Sequence, residues 1–110
     1  MQLALCTDVL ADLSFTDMLD KVKSYGIDAV EMTAGGWGAR KHVNTAELLA
    51  DDAKLEAFKA ELDQRGMRIS ALNTSCNPTW PSKTGEEYAK SMYDCATLAG
   101  KLGVKKLVAM

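Results

Sequence analysis

"SYGIDAVEM", residues 24–32, is the stretch on which the fold turns. It reads as a helix end, a glycine at Gly26, one apolar residue, and then a short apolar strand. The same order returns in "QRGMRISAL" (64–72) around Gly66 and in "KLGVKKLVAM" (101–110) around Gly103, at spacings of 40 and 37 residues. Glycine is favoured just past a helix because it alone enters the left-handed backbone region without steric cost. A helix–glycine–strand unit therefore recurs along the chain.

The segments before each glycine carry helical periodicity. Ser14 is placed to cap the first helix, with Phe15, Leu19 and Val22 on one stripe and Asp17 in the first turn. Leu55, Phe58 and Leu62 stripe the second, which follows a short turn opened by Asn44 and Glu47 in capping-box spacing. Thr84 and Glu87 have the same spacing at the start of the third, which continues through Tyr88, Met92, Cys95, Leu98 and Leu102. Four apolar strands are expected at 3–6, 29–32, 69–72 and 107–110. Strands joined by helices are parallel and cross over right-handedly, which gives βαβαβαβ. An open doubly wound sheet and a (β/α)8 barrel both use that order. A full barrel takes ~250 residues for eight units. Four strands in 110 residues fit its N-terminal half, and an end at the fourth strand leads us to expect residues 1–110 to be one partial barrel domain, strands 1 to 4 and helices 1 to 3, of something larger.

Composition narrows the function. A net charge of −2 and a pI near 5.3 provide no electrostatic footprint for nucleic acid or an anionic membrane. No apolar run approaches the roughly 18 residues of a membrane helix. The start, MQLALCTDVLADLS, has neither the basic opening nor the long apolar core of a signal peptide. Cys6, Cys76 and Cys95 form an odd set without paired spacing, so we expect a reducing, cytoplasmic setting.

Ligands of such folds sit beyond the carboxyl ends of the strands. The long loops fall there: 7–13, 33–44 and 73–83, the last holding "ALNTSCNPTWP" (71–81) with both prolines of the chain. Glu31 sits in an otherwise apolar strand, where a charge is costly unless paired, so it is read as an ion pair or a substrate contact. Trp37 and Trp80 could stack on a ring or pack their loops, and Asn77 carries both a donor and an acceptor. His42, the single histidine, could anchor its loop or touch a ligand. Cys6, His42 and Cys76 could converge on zinc only across three loops, and Asp8 and Asp12 are expected to cap or face solvent.

The run from Gly26 to Pro81 resembles the N-terminal half of the sugar phosphate isomerase/epimerase family. These are xylose isomerase-like TIM barrels, related in fold to the metal-dependent apurinic endonucleases. The likeness lies in Glu31 ending the second strand, in Gly35, Gly36 and His42 of "GGWGARKH", and in Asn77, Pro78 and Pro81 of a loop that the family writes His-Gly-Asn-Pro-Leu-His-Pro. Ser75, Cys76 and Trp80 replace the family's His-Gly and its second histidine, which leaves that loop a stacking or shape role. The resemblance implies an isomerase or epimerase that moves a proton between carbons next to a carbonyl. It implies a sugar or sugar phosphate substrate, met by Glu31, Trp37, His42, Asn77 and Trp80. It also implies a divalent metal (Mn, Mg or Zn) whose ligands come from strands beyond Met110, so that this segment binds none and alone is inactive. The partner expected is the C-terminal half of the barrel or a second copy of the chain. Two other functions fit the residues: a non-catalytic, self-associating half-barrel, and a small flavodoxin-like binding module. The second needs a glycine-rich first turn, and "TDVLADLS" contains no glycine.

Overall fold

The computed structural model describes residues 1–109; Met110, the expected last residue of the fourth strand, lies outside them. Four parallel strands form one sheet in the order β1 (Leu5–Cys6), β2 (Ala29–Thr33), β3 (Arg68–Asn73) and β4 (Leu107–Val108). Strand order equals chain order, with no reversal. Right-handed crossovers that always step the same way lay every helix on one face, as in half of a (β/α)8 barrel. A doubly wound sheet would reverse and be covered on both faces. The edge strands are shorter than their apolar runs suggest, because in this register Leu3 falls opposite Asp28, before β2 begins, and Ala109 opposite Thr74, after β3 has ended.

The helices are α1 (Phe15–Ser24), α2 (Thr45–Ala50), α3 (Asp52–Gln64) and α4 (Lys83–Leu102), with a 3-10 turn at Thr7–Leu10 after β1. The Ser14 hydroxyl caps α1 by accepting from Asp17 N at 3.2 Å. Two corrections belong here. What reads as a turn at Asn44 is a helix in its own right: Asn44 accepts from Glu47 N, and α3 then starts afresh on the Asp51 carboxylate, which accepts from Ala53 N and Lys54 N. The second crossover thus holds two helices, which makes four α-helices among the described residues where three were expected. Thr84 does not cap α4, which begins one residue earlier at Lys83, after Ser82. The chain folds back on itself there, Ser82 N donating to the Trp80 carbonyl at 2.9 Å, so the helix is already under way at Thr84.

Met18, Leu19 and Val22 of α1, Leu55, Phe58 and Leu62 of α3, and Cys95, Leu98 and Ala99 of α4 form one buried cluster with Val30, Met32 and Leu72 of the sheet. Phe15 stacks on Phe58 at 4.5 Å between ring centres, which adds about 1 kcal/mol beyond simple burial. At the far end of α3, Arg65 bridges Asp20 and Glu61, each at 2.6 Å, and its guanidinium holds the Asp20 carboxyl below the usual carboxylate range.

One irregularity sets the faces of the sheet. Val30 pairs with Ile69, but Glu31 pairs with Ala71, so Ser70 is an extra residue bulged out of β3. Its hydroxyl donates to the Val30 carbonyl at 3.0 Å. Ile69 and Leu72 both pack on the helix side although they are three residues apart, which an unbroken strand cannot do. The helix-free face receives the remaining residues, Glu31 with Ala71 and Thr33 with Asn73. Among the described residues, no helix is long and apolar enough to cross a membrane.

Candidate functional site

Polar pairs collect where β1, β2 and β3 end. Asn73, the last residue of β3, donates from Nδ2 to Glu31 Oε1 at 3.0 Å, and its own Oδ1 accepts from Ser75 N at 2.7 Å and the Ser75 hydroxyl at 2.8 Å. One step over, the Thr33 hydroxyl donates to Asp8 Oδ2 at 2.8 Å. Glu31 is half-buried and takes an amide as its partner, so the costly charge is met by a hydrogen bond and not by a cation. Asp8, expected to cap or face solvent, instead ties the end of β1 to the end of β2.

The loop after β2 is bound down onto the loop after β3. Ala34 N donates to the Asn73 carbonyl, continuing the sheet, and Trp37 N donates to the Ser75 carbonyl at 3.1 Å. Gly36 has φ +73°, and a Cβ there would lie 2.1 Å from the Thr74 carbonyl oxygen; only glycine fits so close an approach. Its N–H goes to the Ser91 hydroxyl of α4 at 3.0 Å. Two amides of this glycine cluster, those of Gly36 and Trp37, are thus committed to the protein itself. The Thr45 hydroxyl closes the loop on the Ala34 carbonyl at 2.5 Å.

That packing presents the aromatics. Trp37 meets Tyr88 of α4 edge to face at 5.6 Å, and both Trp37 and Trp80 are more than half exposed. Together with Asn77 and Thr84 these three rings line a cavity of about 350 Å³. Asn77 Oδ1 accepts from Thr79 N and the Thr79 hydroxyl, so the side-chain carbonyl holds the turn and the amide group is what Asn77 has for a ligand.

His42 does not join this group. It is buried, and its Nε2 donates to the Leu13 carbonyl at 3.1 Å, pinning the β2 loop to the loop after β1. Cys6, His42 and Cys76 are not brought together: Cys6 is exposed, Cys76 is buried with its thiol near the Tyr88 carbonyl, and His42 is committed to Leu13. Among the described residues no three His, Cys, Asp or Glu side chains are arranged to hold an ion, so these residues by themselves do not fit a metal centre. Cys95 lies behind the glycine loop, and burial pushes its thiol up to about 11.

Asn73 and Tyr88 are the site residues that sequence reasoning did not single out. Tyr88 reads from its spacing as part of the core stripe of α4, but it is half-buried and lines the cavity beside Trp37. The one available signal for Asn73 was a polar residue closing an apolar strand beside another strand that closes on Glu31.

Comparison with known proteins agrees with this architecture. Residues 19–110 match the family model described as the xylose isomerase-like TIM barrel. The whole chain is 42% identical over 110 residues to YfiH of Bacillus subtilis (strain 168), an uncharacterised protein, and spans 35% of that protein's length. The parallel, unreversed sheet, the site at its carboxyl ends and the match over most of the sequence lead to one assignment: the chain belongs to the xylose isomerase-like TIM-barrel family.

Proposed function

We propose that this chain contributes one wall of the sugar site in a metal-dependent sugar or sugar phosphate isomerase or epimerase, a cytoplasmic enzyme that moves protons at carbons next to a carbonyl. The observation that carries the reading is the pairing of a carboxylate, Glu31 held by Asn73, with a cleft of three aromatic rings on the same end of the sheet. A ring face is apolar and suits the C–H face of a sugar, while a carboxylate and an amide suit its hydroxyls. Glu31 would accept a hydroxyl, Trp37 and Trp80 would flank the ring, Asn77 would donate from its amide, and His42 would keep the β2 loop in place. A divalent ion (Mn, Mg or Zn), with ligands outside these residues, would supply positive charge beside the sugar oxygens.

The test is deuterium uptake. The full-length protein is incubated in heavy water with ketoses, aldoses and their phosphates, with each metal in turn, and read by NMR. Deuterium at the carbon beside the carbonyl is expected for one of the sugars. Absence of both exchange and binding across the panel removes the reading.

A second reading concerns the helix-free face, where Cys6 and Val108 are exposed at the two edges. Unpaired parallel edges invite further strands. The remaining half of a barrel or a second copy of this segment would cover them. Light scattering on the 110-residue segment separates the two: a defined dimer favours the second copy.

A further inference from the structure

We propose that Asn73 is a positioning residue for Glu31: it occupies one carboxylate oxygen and leaves the other open to a substrate hydroxyl. The inference rests on the sugar reading only for what Glu31 receives. The hydrogen bonds leave the Asn73 amide one orientation. Its Oδ1 accepts twice from Ser75, once from the backbone N–H and once from the hydroxyl. A flipped amide would set its NH2 against that backbone N–H and its oxygen against the Glu31 carboxylate, donor on donor and acceptor on acceptor. So the backbone of Ser75 dictates which group Asn73 aims at Glu31.

Ser75 is itself fixed from both sides. Its carbonyl accepts from Trp37 N. The residue before it, Thr74, is fully buried, and its N–H and hydroxyl both go to the Val108 carbonyl of β4, at 2.9 and 3.3 Å. Glu31 is thereby coupled through Asn73 to the two neighbouring loops and to β4. Its second oxygen, Oε2, takes no hydrogen bond among the described residues, and none of their buried side-chain oxygens lacks a partner, so Oε2 is reachable from solvent. A carboxylate with one oxygen held and one accessible has a defined direction in which to receive a hydroxyl.

Two measurements on the full-length protein test this. First, the side-chain amide pair of Asn73 is followed by NMR with 15N-asparagine labelling and assigned by its loss in Asn73→Asp. Glu31→Gln should move that pair clearly, and Ser75→Ala should move it less, since the Ser75 backbone bond survives. An Asn73 pair indifferent to Glu31→Gln overturns the inference, whatever the protein binds. Second, binding of D-fructose and D-xylose is measured by calorimetry with manganese present. Asn73→Ala should weaken it about tenfold to a hundredfold, the value of a hydrogen bond to a charged group. Asn73→Asp keeps both acceptor bonds from Ser75 but turns a carboxylate on Glu31, so it should bind at least as poorly as Asn73→Ala. A residue that only shaped the loop would be served by aspartate, and wild-type binding by Asn73→Asp overturns the positioning role. If the wild type binds neither sugar, the sugar reading fails, and the NMR response alone decides the role of Asn73.

Discussion

The two ends of the sheet use glycine for opposite reasons. At the amino end, Gly66 turns the chain from α3 into β3 with φ +60°, and a Cβ added there would meet nothing within 4 Å. At the carboxyl end, Gly36 is confined in space as well as in angle, against the carbonyls of Thr74 and Ser75. At the amino end the turns are joined only through side chains, Arg65 reaching Asp20 and Lys23 the Arg65 carbonyl, while at the carboxyl end the loop backbones themselves interlock. Loops that must hold side chains in a fixed relation cannot afford independent motion, and the glycine cluster allows two of them to share one backbone framework.

The largest test of this contrast is Gly36→Ala. A methyl group 2.1 Å from a carbonyl oxygen has to displace backbone, and the left-handed angle adds strain. Unfolding in urea should lose about 3–4 kcal/mol, and sugar binding should fall with it. If Gly36→Ala unfolds like the wild type, the two loops are not interlocked. Next comes Trp80→Ala, which should weaken sugar binding by about 1–3 kcal/mol and leave the melting temperature much closer to wild type than a core truncation does. Lost stability with unchanged affinity would make Trp80 a packing residue. Gly66→Ala meets no obstacle but the angle, so about 1 kcal/mol of stability should go and ligand binding should stay. The last test is one of pH. The folded Cys95 thiol titrates at about 11, against 9.0 for an unburied one, because burial disfavours its thiolate. A group raised on folding contributes its full stability below the unfolded value and loses it as pH rises through the folded one. Urea midpoints should therefore decline between about pH 9 and 11, and less so in Cys95→Ala; an equal decline in both would assign the alkaline loss to other groups.

Sequence periodicity carried the fold well because each helix stripe and each turn glycine is a local matter. Leu19, Phe58 and Leu98 advertise a buried face by spacing alone, and all three are buried. The start of α4 was misplaced because Thr84 and Glu87 make a sound capping pair locally, and the return of the chain at Trp80 overrides it. Asn44 opens a helix of its own because Asp51, seven residues on, ends that helix and caps the next. Asn73 was beyond reach for a different reason. Its partner is on another strand, and the bulge at Ser70 changes which residues face each other, so no count along either strand pairs Glu31 with Asn73. Cross-strand chemistry is a property of register, and register was hidden.

The bulge also has a consequence for how this sequence can vary. Ser70 acts as a frame shift within β3. Upstream of it, odd-numbered Ile69 faces the helices; downstream, the parity inverts, and even-numbered Leu72 does. Deleting this one small residue would leave Val30 with Ile69, Glu31 with Ala71 and Met32 with Leu72 in an unbroken count, so Leu72 would stay on the helix side and Asn73 on the side of Glu31. What the pair needs is that Ser70 stay out of the ladder, held there by its hydroxyl bond to the Val30 carbonyl: were Ser70 paired in regular count, Ala71 and Asn73 would turn to the helices and Glu31 would lose its amide partner. Loss of Ser70 should therefore leave both faces of β3 as they are, whereas filling its place in the ladder would exchange them downstream.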